Sequence, residues 1–121
     1  MEKFTIGSVV LVSFPFSNLK GKKIRPALVL AQVEFDNLIL CQITSKSYSS
    51  KTAISIEQFD FAEGTLPLKS FVRPDKLFTA DMSILKGKAG ELTSSKRRTI
   101  LQKVRKLFIE SSALNMQHKI F

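Results

Sequence analysis

Lys20-Gly21-Lys22-Lys23-Ile24-Arg25-Pro26-Ala27-Leu28-Val29-Leu30 joins a basic turn to an apolar run with the length and residue types of a buried strand. A residue before proline is pushed out of the helical region, so Arg25 is held extended. Pro26 has no N–H to give to a ladder, which suits the first position of a strand. The stretch therefore sets a guanidinium, whose planar donors match phosphate oxygens two at a time, at a stiffened loop-to-strand junction. A second Arg-Pro pair, Arg73-Pro74, also follows an apolar run. Two such junctions in one basic chain point to a phosphate site.

Outward from this stretch the chain reads as short strands. Ser8–Phe14 is a strand that Pro15 ends, Phe16–Gly21 a connecting turn, and Ala27–Ala31 the second strand. Glu34–Asn37 makes a turn into Leu38–Thr44, where Cys41 alternates in phase with Ile39 and Ile43 and reads as a small buried hydrophobe. Ser45–Lys51 is a polar loop with Tyr48, the one tyrosine, at its middle. A loop tyrosine stacks on a nucleobase or, more often, packs down to anchor its own loop. Ile54 and Ile56 mark a short strand and Gln58–Pro67 a polar connection. Leu68–Arg73 and Leu77–Ala80 read as two strands separated by Pro74-Asp75-Lys76, and Gly87 and Gly90 punctuate a further turn. Six short strands over residues 8–80 suit a small barrel or sandwich.

From Thr93 the period changes. Ile100, Leu101, Val104, Leu107 and Phe108 recur at helical spacing, with Thr93 or Ser94 as the N-cap. Lys96, Arg97, Arg98, Lys103, Arg105 and Lys106 fill the other faces. Such a helix packs its apolar stripe on the barrel and turns a basic back to solvent, and the same back could track a phosphate backbone. The expected layout is one domain over residues 1–121, with a barrel over about 5–92, a helix over about 94–110 and a tail over 111–121.

Of 121 residues, 44% are hydrophobic and 24% charged, an ordinary globular balance. The apolar runs are too short to span a bilayer and Met1–Phe4 has no signal-peptide layout, so a cytoplasmic protein without a membrane partner is expected. A single cysteine excludes an internal disulfide, and no Cys/His set exists for zinc; neither metal nor cofactor is expected. The charge of +9 comes from 19 Lys and Arg against 10 Asp and Glu. It divides as +4 over residues 1–90 (12 basic, 8 acidic) and +5 over 91–121 (7 basic, 2 acidic). Such an excess favours a polyanion, nucleic acid ahead of a membrane surface.

Gly7–Val12, Phe14-Pro15-Phe16, Arg25–Leu30, Gln42–Ser45 and Val72–Lys76, in that order and spacing, resemble the MazF/PemK-like toxins of type II toxin–antitoxin systems. The resemblance covers roughly residues 5–109. It implies a mainly β chain with some α, a small SH3-like β-barrel (CcdB/PemK-like) with a C-terminal helix, and a homodimer. It implies metal-independent, sequence-specific cleavage of single-stranded RNA to a cyclic phosphate and a 5′-hydroxyl. A cognate antitoxin protein is the implied partner, together with promoter DNA bound by the two proteins jointly. Residue by residue, Arg25, Thr44, Arg73 and Asp75 match the family's functional positions. Unlike some relatives, this chain has no acid in Leu19–Ile24 and no histidine in Pro15–Lys20.

The chemistry asks for three things: removal of the 2′-hydroxyl proton, stabilisation of the phosphorane, and a proton for the leaving oxygen. Arg25 suits the second, since its fixed donors meet the equatorial oxygens as charge grows there. Asp75 is the best carboxylate for the base. It lies two residues from Arg73, on the same side of an extended backbone that Pro74 stiffens; a structural ion pair fits the same spacing. Thr44 and Ser45 either donate hydroxyls to a phosphate or close a turn. Lys22, Lys23, Lys46 and Lys76 read as contacts to backbone phosphates. His118, the one histidine, has no catalytic companion. The competing readings are a CcdB-like gyrase inhibitor that binds protein without catalysis, and a nucleic-acid-binding regulator without cleavage.

Overall fold

Alternation along the strands sorts the apolar residues into two sets, and each set forms its own core. Val9, Leu28, Leu30, Cys41, Ile43, Ile56, Val72, Leu92 and Ile100 make one. Val10, Val12, Ala27, Val29, Leu38, Leu40 and Ala80 make the other. Neighbours in sequence such as Val9 and Val10, or Leu28 and Val29, fall on opposite faces because successive side chains of a strand point opposite ways.

The computed structural model describes residues 4–15, 21–46 and 51–118. Among these, the strands are β1 (Ser8–Pro15), β2 (Lys22–Val33), β3 (Asn37–Thr44), β4 (Ile54–Ile56), β5 (Phe61–Gly64), β6 (Ser70–Asp81) and β7 (Leu85–Leu92), followed by α1 (Ser94–His118). They form one sheet in the order β4-β6-β3-β2-β1-β7-β5, each adjacent pair antiparallel. Phe14 of β1 and Phe78 of β6 meet edge to face with ring centroids 5.3 Å apart. Two strands separate β1 from β6 in the sheet, so this contact requires the sheet to curl around the second core. The result is a mainly β half-barrel with one C-terminal helix, as the sequence pattern leads one to expect.

Helix α1 covers the first core. Ile100 is fully buried there, and Leu101 and Val104 pack against it. Thr93 Oγ1 accepts from the Lys96 N–H at 3.2 Å, the side-chain cap of an N-terminus. The helix runs to His118, beyond the end expected near residue 110, because no glycine or proline stops it. Phe108, read as part of the buried stripe, is 63% exposed.

Four local expectations are corrected. Lys22–Arg25 is not a turn but the start of β2, and Pro26 lies inside the strand. The two strands around Pro74-Asp75-Lys76 are one strand, β6, in which those residues form a bulge: Gln42 pairs with Arg73, and the next residue of β3, Cys41, with Leu77. The polar connection 58–67 contains a 3₁₀ turn (Gln58–Asp60) and β5. Gly87 and Gly90 lie within β7. A Cβ at Gly90 would sit 2.5 Å from the Glu63 carbonyl oxygen and 2.9 Å from the Phe61 ring, so this glycine marks close approach of two backbones, not a turn. The turn expected at Phe16–Gly21 lies outside the described residues except for Gly21.

At the β2–β3 hairpin, Asn37 N–H donates to the Glu34 carbonyl at 3.2 Å, and Phe35 and Asp36 both take positive φ, 59° and 60°. This is the primed turn that matches strand twist, here built without glycine.

Candidate nucleic-acid interface

Pro26 decides the shape of this surface. It pairs with Leu11 of β1 although it has no N–H. An antiparallel ladder allows that only where the residue bonds away from that neighbour, so the ring nitrogen faces β3. Val29, three residues on, agrees: its carbonyl accepts from Gly7 N–H beside β1, at 2.9 Å. On the β3 side the ladder stops at Ala27↔Gln42, one residue short of Pro26. β2 nonetheless stays paired to β1 as far as Lys22↔Pro15, and β3 stays paired to β6 as far as Thr44↔Phe71. The sheet therefore forks between β2 and β3.

A cleft of about 510 Å³ lies at the fork. Lys23 and Arg25 line it from β2; Thr44, Ser45 and Lys46 line it from the end of β3. Leu11, Pro26 and Ile43 supply apolar lining, and Leu66-Pro67-Leu68 and Ser70 border it from the segment leading into β6. Arg25 and Thr44 also share a face of the sheet: each lies two residues beyond a member of the Ala27↔Gln42 pair. Arg25 is exposed, with no ion-pair partner among the described residues. Thr44 Oγ1 accepts from the Lys46 N–H at 3.1 Å, which orients the hydroxyl and leaves its hydrogen free to donate.

Arg73 and Asp75 stand apart from this lining. Arg73 sits opposite Gln42, on the face that carries Arg25 and Thr44. Its Nε and Nη2 donate to Asp75 Oδ1 and Oδ2 at 3.2 and 3.0 Å, a two-point contact between a half-buried guanidinium and a more exposed carboxylate. The hydrogen bonds from Arg73 hold the Asp75 carboxyl below its ordinary 3.8, helped by the Thr52 hydroxyl and opposed by burial. Lys76 is exposed on the same bulge and does not line the cleft. Tyr48 lies outside the described residues, as does the side chain of Lys22.

Cys41 is fully buried, and burial pushes its thiol up to about 12, with the Asp75 charge adding to the rise. It is no nucleophile at neutral pH. Among the described residues no three His, Cys, Asp or Glu side chains converge to hold a metal ion, and no helix is long and apolar enough to cross a membrane.

The sequence reading missed the walls of the cleft. Leu66 and Pro67 passed as part of a polar connection and Leu68 as the first residue of a strand, yet Leu68 is 65% exposed beside the cations, and Ile24 on β2 is 51% exposed. Two leucines flanking a proline in an otherwise polar stretch were the available signal.

The fold is that of solved toxin structures. MazE–MazF (Form-III) from Deinococcus radiodurans superposes at TM-score 0.68 with 19% identity, covering 84% of this chain and 92% of that one. An endoribonuclease in complex with its cognate antitoxin from Mycobacterial species gives 0.62 at 15% identity, over 93% and 96%. The Mycobacterium tuberculosis toxin MazF-mt6 gives 0.57 at 19%, over 78% and 90%. No curated protein matches the sequence significantly. The family model of the PemK-like, MazF-like toxin of type II toxin–antitoxin systems matches residues 5–108. With the curled sheet, the terminal helix and nearly the whole chain accounted for, the chain belongs to the PemK-like, MazF-like toxin family of type II toxin–antitoxin systems.

Proposed function

We propose that the protein is a metal-independent, sequence-specific endoribonuclease that cuts single-stranded RNA in the cleft between β2 and β3. The observation that carries this reading is the fork itself, which sets Arg25 on one bank and Thr44, Ser45 and Lys46 on the other. A backbone phosphate lying between the banks meets a planar guanidinium, a hydroxyl donor and two lysines, Lys23 and Lys46, whose charge compensates its own. Arg25 takes the charge that grows on the equatorial oxygens as the 2′-oxygen attacks phosphorus and the 5′-oxygen leaves. The products of that displacement are a 2′,3′-cyclic phosphate and a 5′-hydroxyl. Apolar walls at Ile24, Leu66 and Leu68 suit splayed bases.

Asp75 is a weak base in this setting, because Arg73 holds it ionised well below neutral pH. Its part is to fix Arg73, which adds a second cation on the face shared by Arg25 and Thr44. The cognate antitoxin covers the same cleft with an acidic segment, and the two proteins together contact promoter DNA, in keeping with the net charge of +9. The structural neighbour solved with its cognate antitoxin supports that partner class.

The test is a long RNA incubated with the purified protein in EDTA and read for new 5′-hydroxyl ends. Arg25→Ala should lower the cleavage rate by roughly two to three powers of ten, as for one lost preorganised donor. RNA affinity should fall far less, and Arg25→Lys should not restore the rate, since an ammonium lacks the planar fork. Cleavage by Arg25→Ala at the wild-type rate would remove the cleft from the reaction.

A further inference from the structure

We infer that the outer face of α1 is a second RNA-binding surface, a track that holds the substrate's backbone outside the cleft. The inference rests on RNA being the substrate. Residues 94–109 contain six cations and no acid. Two of the six serve the fold: Lys96 pairs with Asp60 at 3.5 Å, and Arg97 donates to the Ile6 carbonyl at 3.4 Å. The other four, Arg98, Lys103, Arg105 and Lys106, are exposed.

At about 100° per residue Arg98 and Arg105 fall within about 20° of each other, with Lys106 about 80° and Lys103 about 140° round from Arg98, so the four spread over the outward half of the helix. Ile100, Leu101 and Val104 point the other way, into the first core. Three cations of the sheet and its loops are matched, Lys69 by Glu57, Arg73 by Asp75 and Lys88 by Glu63 and Glu91. Among the described residues Arg98, Lys103 and Arg105 have no acidic partner. A polyanion laid along this half of the helix would meet charges that no acid within residues 94–109 offsets.

Position joins this face to the cleft. Leu66, which lines the cleft, packs on the same core cluster as Leu101 and Val104 of α1. The helix and the segment that walls the cleft therefore cover one and the same core. Single-stranded RNA is the proposed occupant, because the substrate proposed for the cleft is a strand with separated bases.

The experiment measures binding to 2′-O-methyl RNA, which lacks the attacking hydroxyl and is not cut. Oligonucleotides of about 8 and about 30 nucleotides are titrated over a range of salt, one within and one beyond an ordinary single-strand site. The full chain is compared with the variant Arg98→Ala, Lys103→Ala, Arg105→Ala. Alanine favours helix and the changes relieve repulsion, so the variant should melt at or above the wild-type temperature. On the long RNA its salt slope should fall by about two, at roughly 0.7 per lost phosphate contact, while the short RNA binds as before. An unchanged slope on the long RNA overturns the inference. So does a DNA duplex of equal length that displaces the RNA from the wild type at lower concentration. Because the probe cannot be cleaved, absence of ribonuclease activity in the cleavage assay would fail the catalytic reading without altering this result.

Discussion

Arg73 and Asp75 act as one group, and their chemistry follows from the two hydrogen bonds between them. Asp75 has its folded-state value depressed, so its contribution to stability is present above its ordinary 3.8 and is lost as pH falls through the lower folded value. Urea-unfolding midpoints of the wild type and Asp75→Asn should therefore differ at neutral pH and converge below about pH 3.8. In cleavage assays Arg73→Ala and Asp75→Asn should each lower kcat/KM, and the double variant should lose no more than the worse single one. Additive losses would show two separate roles. Cys41 gives the opposite sign. Its thiol is raised from 9.0 to about 12 by burial, so the neutral form is favoured in the folded chain, and stability is lost as pH rises from 9 towards 12. Cys41→Val, which keeps the volume close and cannot ionise, should flatten the fall in melting temperature over that window. An equal fall in the variant would assign the alkaline loss to other groups.

Among the elements, β2 does the most. One proline within it keeps the β1 ladder and ends the β3 ladder, and that asymmetry makes the cleft. Pro26→Val restores an N–H facing β3 and leaves the alternation of apolar positions intact. The ladder should then extend by one pair, the new valine opposite Ile43, narrowing the fork between Arg25 and Thr44. The expected result is a melting temperature equal to or above wild type with a lowered kcat/KM on RNA, checked by thermal melts and the 5′-end assay. A variant that melts lower and cuts as fast would show that Pro26 only stiffens the strand. β6 reaches the opposite end of the same logic: its bulge at Pro74-Asp75-Lys76 takes a proline into a central strand without breaking the sheet, and Pro74 is buried there.

The whole molecule exposes more large apolar surface than a small monomer needs. Phe35, Phe59, Leu68, Phe108 and Ile109 are each more than 60% exposed. We expect a homodimer without any partner, and light scattering at micromolar concentration should return twice the 13.6 kDa of one chain. A value of one chain mass under those conditions would leave the exposed residues to another partner. The net charge of +9 opposes self-association at low salt, so the dimer should tighten as salt is raised while RNA binding weakens.

Local pattern was enough to read the strands β1 and β3, the short β4 and the start of α1, because alternation at period two and a capping threonine need no distant partner. The family resemblance was likewise carried by short segments, and Arg25 and Thr44 were legible as a pair of polar residues at strand ends. What lay beyond the sequence depends on pairing across the chain. β7, with its glycines and lysines, has no strand signature of its own and exists because β1 hydrogen-bonds to it; Gly90 looked like a turn because the backbone of β5 against it is invisible in sequence. Pro26 read as a strand start, since only the register with Leu11 reveals which neighbour it fails to bond. The fork and its leucine walls are properties of that pairing, and tertiary structure alone decided them.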